Sequence, residues 1–442
     1  MKDWQEEFRR KLVPAEEAVK VVKSGDRVAF TTGREAHAVG LALAARKEEL
    51  RDVKIFVPTP GYDFGWYDRG WEDSFVIFTA FPLGINREMV QERRCDLYTG
   101  GLTPFEMEYF KEGVDVLLTE VSPPDEKGFC SFGSSLWNKR RQVQEAKVVI
   151  AEVNKNLIRT YGDNYVHVSE IDYFVEHIPA GETPGATSLL GKKVKKEPDA
   201  TMKQIAKNVA QLIKDGDTFQ VGVGRTTEPL VTLGILDGRN DIGYHSEATV
   251  PGVIRLVREG VINGKYKNVR PGKVVVTSIG GDTREEMQWV HMNPLFELVD
   301  VDYLEDVRVI SAIDNFVAIN QALAIDLHGQ ITAESLGAQL FSNAGGQIAF
   351  QIGALLSKGG RAITVLPSTA QDGKVSRIMP VLPEGTTVTI HKNLVDIVVT
   401  EWGIARLRGK SRRQKAEELI NIAHPDFRDE LRAAAKKLFW PD

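Results

Sequence analysis

Two stretches of this chain, 18–33 (AVKVVKSGDRVAFTTG) and 209–224 (VAQLIKDGDTFQVGVG), carry one pattern: an apolar-periodic helix, a Lys-x-Gly-Asp turn, a β-rich run and a glycine. Gly25 and Gly216 stand where a helix C-terminus needs a residue free to adopt positive φ, and the runs after them alternate as strands do. Each copy is therefore a helix-to-strand junction. A second pair follows in the same order, VDVLLTE at 114–120 and VDIVVTE at 395–401. Both are nearly continuous β-branched runs, as expected of strands buried on both faces of a parallel sheet. The repetition predicts an α/β protein of two related open domains with helices on the faces of each sheet. The expected bounds are 1–185 and 195–442, joined by the Gly-, Pro- and Lys-rich stretch 177–199. Near the end, Ser411 is placed as a helix N-cap and Pro425 as a first-turn proline.

A length of 442 residues suits two domains better than one core. The net charge of -5, from 56 basic and 61 acidic residues, excludes a general nucleic-acid or anionic-membrane binder. The charged start MKDWQEEFRRKL is no signal peptide, and no stretch approaches the ~18 apolar residues of a membrane span, so a cytoplasmic protein is expected. Cys95 and Cys130 are too few for a disulfide framework and read as buried thiols.

Several chemistries fail on spacing. GVGRTT at 222–227 has Thr227 where a dinucleotide fingerprint needs its third glycine. GIARLRGKS at 403–411 puts five residues instead of four between the glycines of a P-loop. No histidine pair has metal-ligand spacing and no Gly-x-Ser-x-Gly elbow occurs, so neither a metal nor a serine nucleophile is expected.

Three glycine-bearing segments remain, at 221–225, 341–350 and 357–369. Glycine at a strand-to-helix junction lets backbone N–H groups approach a phosphate or a developing oxyanion. Between the first two lies YHSEATVPG, 244–252, with one carboxylate, Glu247. The first copy ends its matching strand in Pro58 and Thr59, where the second has Ser246 and Glu247. Strand C-termini of open α/β sheets are where ligands bind, so the acid stands at the functional edge of one copy only.

The motifs HSE at 245–247, GGQ at 345–347, SKGGRAITVLPSTAQDGKVSRI at 357–378, VDIVVTEWGIARLRGKS at 395–411 and IAHPDFRDEL at 422–431 resemble the acetyl-CoA hydrolase/transferase family, the class I coenzyme A transferases. The resemblance implies an active site between two class I CoA-transferase-like domains and a homo-oligomer, a dimer. It implies an acyl-CoA:carboxylate CoA-transferase with coenzyme A or acyl-CoA as substrate, a free carboxylic acid as partner and no prosthetic group. The alternatives are an acyl-CoA hydrolase with the same nucleophile and a non-catalytic CoA-binding relative. Carried over by position, Glu247 is the nucleophile that forms a glutamyl-CoA thioester, and Glu401 is a second active-site acid. Gly222, Val223, Gly224, Arg225 and Thr226 line the CoA thioester, Ser342, Gly346 and Lys358 contact CoA, and Gly346 also serves the oxyanion. Thr32 faces the acyl group.

With an ordinary pKa of ~4.3, a glutamate is ionised at neutral pH and attacks without a separate base. Two departures from the family bear on the substrate. After GGQ the family has Asp-Phe and then Arg-Gly-Ala, where this chain has Ile348, Ala349, Phe350, Gln351, Ile352, Gly353 and Ala354. After Tyr303 it has Glu305, Asp306 and Val307 in place of the family's Asn-Asp-Pro. Glu305, Ala349 and Ile352 are thus the expected substrate-pocket residues, in a pocket more apolar than that of the small-acid members. The aromatic-rich stretch 61–75 is expected to form a lid over the acyl group or a subunit contact.

Overall fold

A computed structural model of the chain describes residues 3–98, 113–178, 199–281 and 283–441. The chain divides into two compact units, 1–194 with 276–303, and 195–275 with 304–442. Residues 276–303, which a linear division assigns to the second domain, thus group with the first. The expected linker at 177–199 lies almost wholly outside the described residues.

The first unit is built on β1 (Arg27–Phe30), β2 (Val53–Val57), β3 (Phe75–Thr79), β4 (Asp96–Leu97), β5 (Val116–Val121), β6 (Val148–Val153) and β7 (Tyr173–Glu176). They form a parallel sheet in the order β7-β6-β5-β1-β2-β3-β4. Every residue of β5 is buried, as the unbroken apolar run requires when helices cover both faces. In the main sheet, the second unit's own strands are β8 (Thr218–Val221), β9 (Gly243–Ala248), β10 (Phe316–Gln321), β11 (Arg361–Val365), β12 (Ile397–Thr400) and β13 (Gly403–Arg406). Their order is β13-β12-β11-β10-β8-β9, parallel except for the antiparallel β13. Ser411 caps the helix Arg412–Asn421 and Pro425 opens the short turn before the helix Arg428–Phe439.

The first repeat is structural. Gly25 and Gly216 have φ of +84° and +76°. The aspartate after each accepts the same bond, from Lys23 N to Asp26 at 2.8 Å and from Lys214 N to Asp217 at 2.7 Å. Each turn feeds a strand that has the next strand on one side and a later one on the other. Counting from these aspartates, the pairing Arg27↔Lys54 answers Thr218↔Gly243, so Glu247 takes the position of Pro58, one residue from where the bare sequences set it.

The second repeat is not positional. The strand beside β1 is β5, whose counterpart beside β8 is β10; the same count sets Glu120 against Gln321 and Glu401 against His177. The shared VD-apolar-TE pattern reflects the common demand of buried parallel strands for β-branched residues.

The aromatic stretch also departs from expectation. Tyr62, Phe64, Trp66, Tyr67 and Phe75 are all buried in the core of the first unit. Trp66 is fully enclosed, its ring 4.6 Å from Phe64 and 5.8 Å from Phe75. Gly65 and Gly70, at φ of +94° and +86°, let an irregular loop turn its rings inward, so the absence of helix or strand periodicity does not signal an exposed segment. Glu35 holds the start of this loop, accepting from Gly61 N and Tyr62 N at 2.8 Å each. Its burial raises its pKa to about 8 against those two bonds.

Removing the Trp66 ring by Trp66→Ala should cost about 3–5 kcal/mol, read as a lower urea midpoint in equilibrium unfolding. Glu35 gives a pH signature. Unfolded, it ionises near its ordinary value of 4.5, whereas folded it keeps its proton to about 8. Its contribution to stability is therefore complete below pH 4.5 and lost as pH rises toward about 8. Glu35→Gln should flatten the decline in unfolding free energy across that window relative to wild type.

Candidate active site

In the second unit the chain passes from β8 to β9 on one side of the sheet and then returns to β10 on the other. The order reverses between β8 and β10, and at such a point the loops leaving neighbouring strands diverge and open a crevice at the C-terminal edge. Gly222 and Gly224 leave β8 there, and Asn320 and Gln321 end β10. A methyl group on Gly222 would come within 2.6 Å of Asn320 Oδ1, and one on Gly224 within 2.4 Å of the Gln321 amide, so the glycines are required by close approach. Gln220 and Asn320 exchange amide bonds at 3.0 and 3.1 Å, and Thr226 N donates to Gln321 Oε1 at 3.1 Å. The corresponding crevice of the first unit is occupied, with Thr31 and Thr119 hydroxyls 3.2 Å apart and Arg34 Nε paired to Glu120 at 2.7 Å.

Glu247 lies near the C-terminal end of β9 with only 9 % of its surface exposed. Next to it on the strand, Ser246 Oγ donates to Val221 O at 3.2 Å. Gly346, the N-cap of the helix Gln347–Leu356, donates its N–H to Glu247 Oε1 at 3.3 Å, where the helix dipole also favours negative charge. Glu305 lies on the other side. The short helix Val307–Ser311 packs on Gln347–Leu356 through Ile310 against Gly353, which carries the preceding Glu305 to the same helix start. A methyl group on Gly346 would meet Glu305 Oε1 at 2.5 Å and Glu247 Oε1 at 2.9 Å. Two carboxyl groups thus converge on one glycine, and Glu305 is 1 % exposed.

This geometry changes the protonation expected of Glu247. Burial raises its pKa, while the hydrogen bonds with Glu305 and from Gly346 act in the opposite direction without cancelling the shift. Two carboxyl groups brought together away from water resist ionising together. The simple picture of a free carboxylate with an ordinary pKa is corrected accordingly.

Among the other expected site residues, Val223, Arg225 and Thr226 stand on the loop after β8, Arg225 exposed and Thr226 buried. Ser342 precedes the Gly346 helix and donates to Asn343 O at 3.1 Å. Ala349 is buried and Ile352 half-buried on that helix. Lys358 stands beyond the far end of the ten-residue helix, about 15 Å long by its rise, and its exposed side chain lies 3.9 Å from Asp314. Thr32 is buried just after β1 in the first unit. Glu401 follows β12 and accepts from Ser368 N at 2.9 Å and Ser368 Oγ at 2.5 Å.

Sequence reasoning missed Asn320, Gln321 and Arg377. Arg377 donates to Leu323 O and Thr369 O, and burial together with the like charge of Arg225 lowers its pKa against the pull of Glu401. The polar pair ending the apolar run FVAINQ was a visible signal for the first two. Among the described residues no cluster of His, Cys, Asp and Glu is arranged for a metal, and no helix is long and apolar enough to cross a membrane.

The sequence matches the acetyl-CoA hydrolase/transferase N-terminal domain over residues 1–180 and its C-terminal domain over 283–435. The chain belongs to the acetyl-CoA hydrolase/transferase family. It is 43 % identical to the 4-hydroxybutyrate coenzyme A transferase of Clostridium kluyveri, over 99 % of this chain and 100 % of that one. It is 35 % identical to the succinyl-CoA:cyclohexane-1-carboxylate CoA transferase of Geobacter metallireducens, over 99 % and 98 %. The crystal structure of RipA from Yersinia pestis superposes with a TM-score of 0.88 at 29 % identity, covering 99 % of both chains. With these relatives the chain is an enzyme of the CoA-transferase class.

Gly346→Ala should drive its methyl group into both carboxyl groups. CoA-transferase activity should fall about 100-fold or more while the thermal transition of the folded protein stays near wild type, as a steady-state assay paired with calorimetry would show.

Proposed function

We propose that this enzyme is an acyl-CoA:carboxylate CoA-transferase working by a ping-pong mechanism through a glutamyl-CoA thioester on Glu247. The observation that carries the reading is a buried glutamate at the C-terminal edge of the sheet, one strand from the one that leads into Gly222 and Gly224, held by the Gly346 N–H at 3.3 Å. Ionised, Glu247 attacks the acyl-CoA carbonyl and forms a mixed anhydride as the CoA thiolate leaves. The thiolate then attacks the Glu247 carbonyl and the acyl carboxylate departs, leaving the thioester on the enzyme. A second carboxylic acid reverses the sequence and leaves as its own CoA ester. Each addition makes an oxyanion, and a positioned backbone donor such as Gly346 N–H is worth about 100- to 1000-fold.

The loop 222–226 lines the thioester in this reading, while Ser342 and Lys358 belong to the more remote part of the CoA path. Binding the non-reacting part of CoA positions the carbonyl, and exclusion of water by the buried site preserves the thioester for transfer. Arg225 and Arg377 supply a positive region at the crevice for the anionic substrates. Glu401 stays bonded to Ser368 and supports the edge of the site. The two named relatives act on an aliphatic hydroxy acid and on a ring carboxylate, which suits an acceptor pocket lined by Ala349 and Ile352 that takes a bulky apolar acid.

Wild-type enzyme incubated with acyl-CoA and no acceptor should carry a CoA adduct on Glu247, located by peptide mass spectrometry. Glu247→Ala should form none and lose at least about a thousandfold in kcat. Retained activity in Glu247→Ala excludes the mechanism, and free acid released steadily without acceptor identifies a hydrolase.

A further inference from the structure

Glu305 carries a second carboxyl group to the point where Gly346 meets Glu247, and the reaction sketched above assigns it no role. We propose that Glu305 works as a neutral carboxylic acid whose O–H, together with the Gly346 N–H, holds Glu247 Oε1 and forms the oxyanion site for reactions at the Glu247 carbonyl. The proposal rests on Glu247 being the nucleophile.

The geometry supports it in three ways. Oε1 of each acid is within 3 Å of one point, the position a methyl group on Gly346 would take, at 2.5 and 2.9 Å. Gly346 N–H is already on Glu247 Oε1, which leaves Oε2 for attack on the substrate. Glu305 is also fixed from behind. His245 Nε2 lies 2.8 Å from Leu304 O, and because a carbonyl only accepts, that nitrogen carries hydrogen. His245 is buried and stays neutral, its pKa lowered to about 3 by burial and by the charges of Lys267 and Arg270. It ties the backbone next to Glu305 to the strand that carries Glu247.

Among the described residues, Lys267 and Arg270 are cations whose charges act on His245, the strand neighbour of Ser246 and Glu247. The rise at Glu247 comes from burial and is opposed by Glu305 and the Gly346 N–H. On its own strand the titratable neighbours are Tyr244 and His245, and Lys267 donates to the carbonyls of Tyr244 and Lys273 at 2.9 Å each. On the segment after Glu305, Arg308 is paired to Asp306 at the surface. Gln347 and Gln351, both buried, are the polar side chains of the helix that starts at Gly346, and Asn320 and Gln321 those ending β10, all uncharged. Arg225 on the β8 loop is exposed.

In the step concerned, the thiolate sulfur bonds to Glu247 Cδ and the carbonyl π electrons move onto Oε1. Glu305 O–H and Gly346 N–H bond to the resulting anion. Collapse restores the carbonyl and breaks the bond to the acyl carboxylate, which leaves with its electron pair. Glu305 keeps its proton throughout, as a protonated carboxyl group used as a hydrogen-bond donor must.

The active form has one proton on the pair. Activity should rise with pH as Glu247 ionises and fall again as Glu305 loses its proton, a bell-shaped profile of kcat/KM. Glu305→Gln keeps a donor that does not titrate. It should lower kcat by no more than about tenfold and abolish the alkaline limb, while Glu305→Leu lowers kcat about 100- to 1000-fold with little change in KM for acyl-CoA. Wild-type enzyme that forms no Glu247 adduct overturns the transferase mechanism and this role together. Where the adduct forms, a Glu305→Gln profile that keeps the wild-type alkaline limb, or a folded Glu305→Leu enzyme within threefold of wild type, overturns the role of Glu305 alone. Should Glu305→Leu fail to fold, the Glu305→Gln profile decides.

Discussion

Parallel pairing on both sides of Thr218–Val221 is the constraint from which the second unit's site follows. A strand flanked in parallel by the segments that precede and follow a reversal of sheet order must release its chain at the same edge as both neighbours. That edge collects the ends of β8, β9 and β10 at neighbouring strand spacings of about 5 Å. Whatever polar groups the sequence puts at those ends meet without further design, and those that would block the crevice must be small. Gly222 and Gly224 satisfy the second condition and Glu247 the first.

The two units apply one topology to different ends. In the first, the reversal point is closed by the Thr31–Thr119 contact and the Arg34–Glu120 pair, whose charges offset each other away from water. In the second, Gln321 stands where Glu120 does and accepts from Thr226 N, while Arg225, at Arg34's position by the same count, is exposed. The two reversal points are thus filled differently. The rings of the aromatic loop pack into the first unit's core.

The site's electrostatics depend on excluding water. A lone surface glutamate would need no partner to ionise, but a buried one at the start of a helix is balanced between desolvation and hydrogen bonding. Setting Glu305 against it turns two acids into a unit that carries one charge. His245 strengthens that unit by staying neutral and holding the backbone beside Glu305.

Much of this was legible in the residues alone. The Lys-x-Gly-Asp turns announced two copies of a helix-to-strand junction because positive φ and the aspartate bond are local requirements that local sequence must meet. Glu247 was visible as an acid at a strand end present in one copy only. The second repeat misled, because β-branched runs report burial on two faces and say nothing of position in the sheet. The aromatic stretch misled for a related reason, since an irregular loop turned inward has no periodicity to read. Contact between Glu247, Gly346 and Glu305 could not be read from the chain at all. These residues are far apart in sequence, and their meeting depends on Ile310 packing against Gly353 and on the register of β8 with its neighbours. Sequence by itself determined the α/β class, the duplicated turns and the acid that the chemistry needs, because each is set by residues within a few positions of one another. Only the tertiary structure decided that the acid is buried and set against a second carboxyl group, because long-range packing removes the water and brings Glu305 to the start of the Gly346 helix.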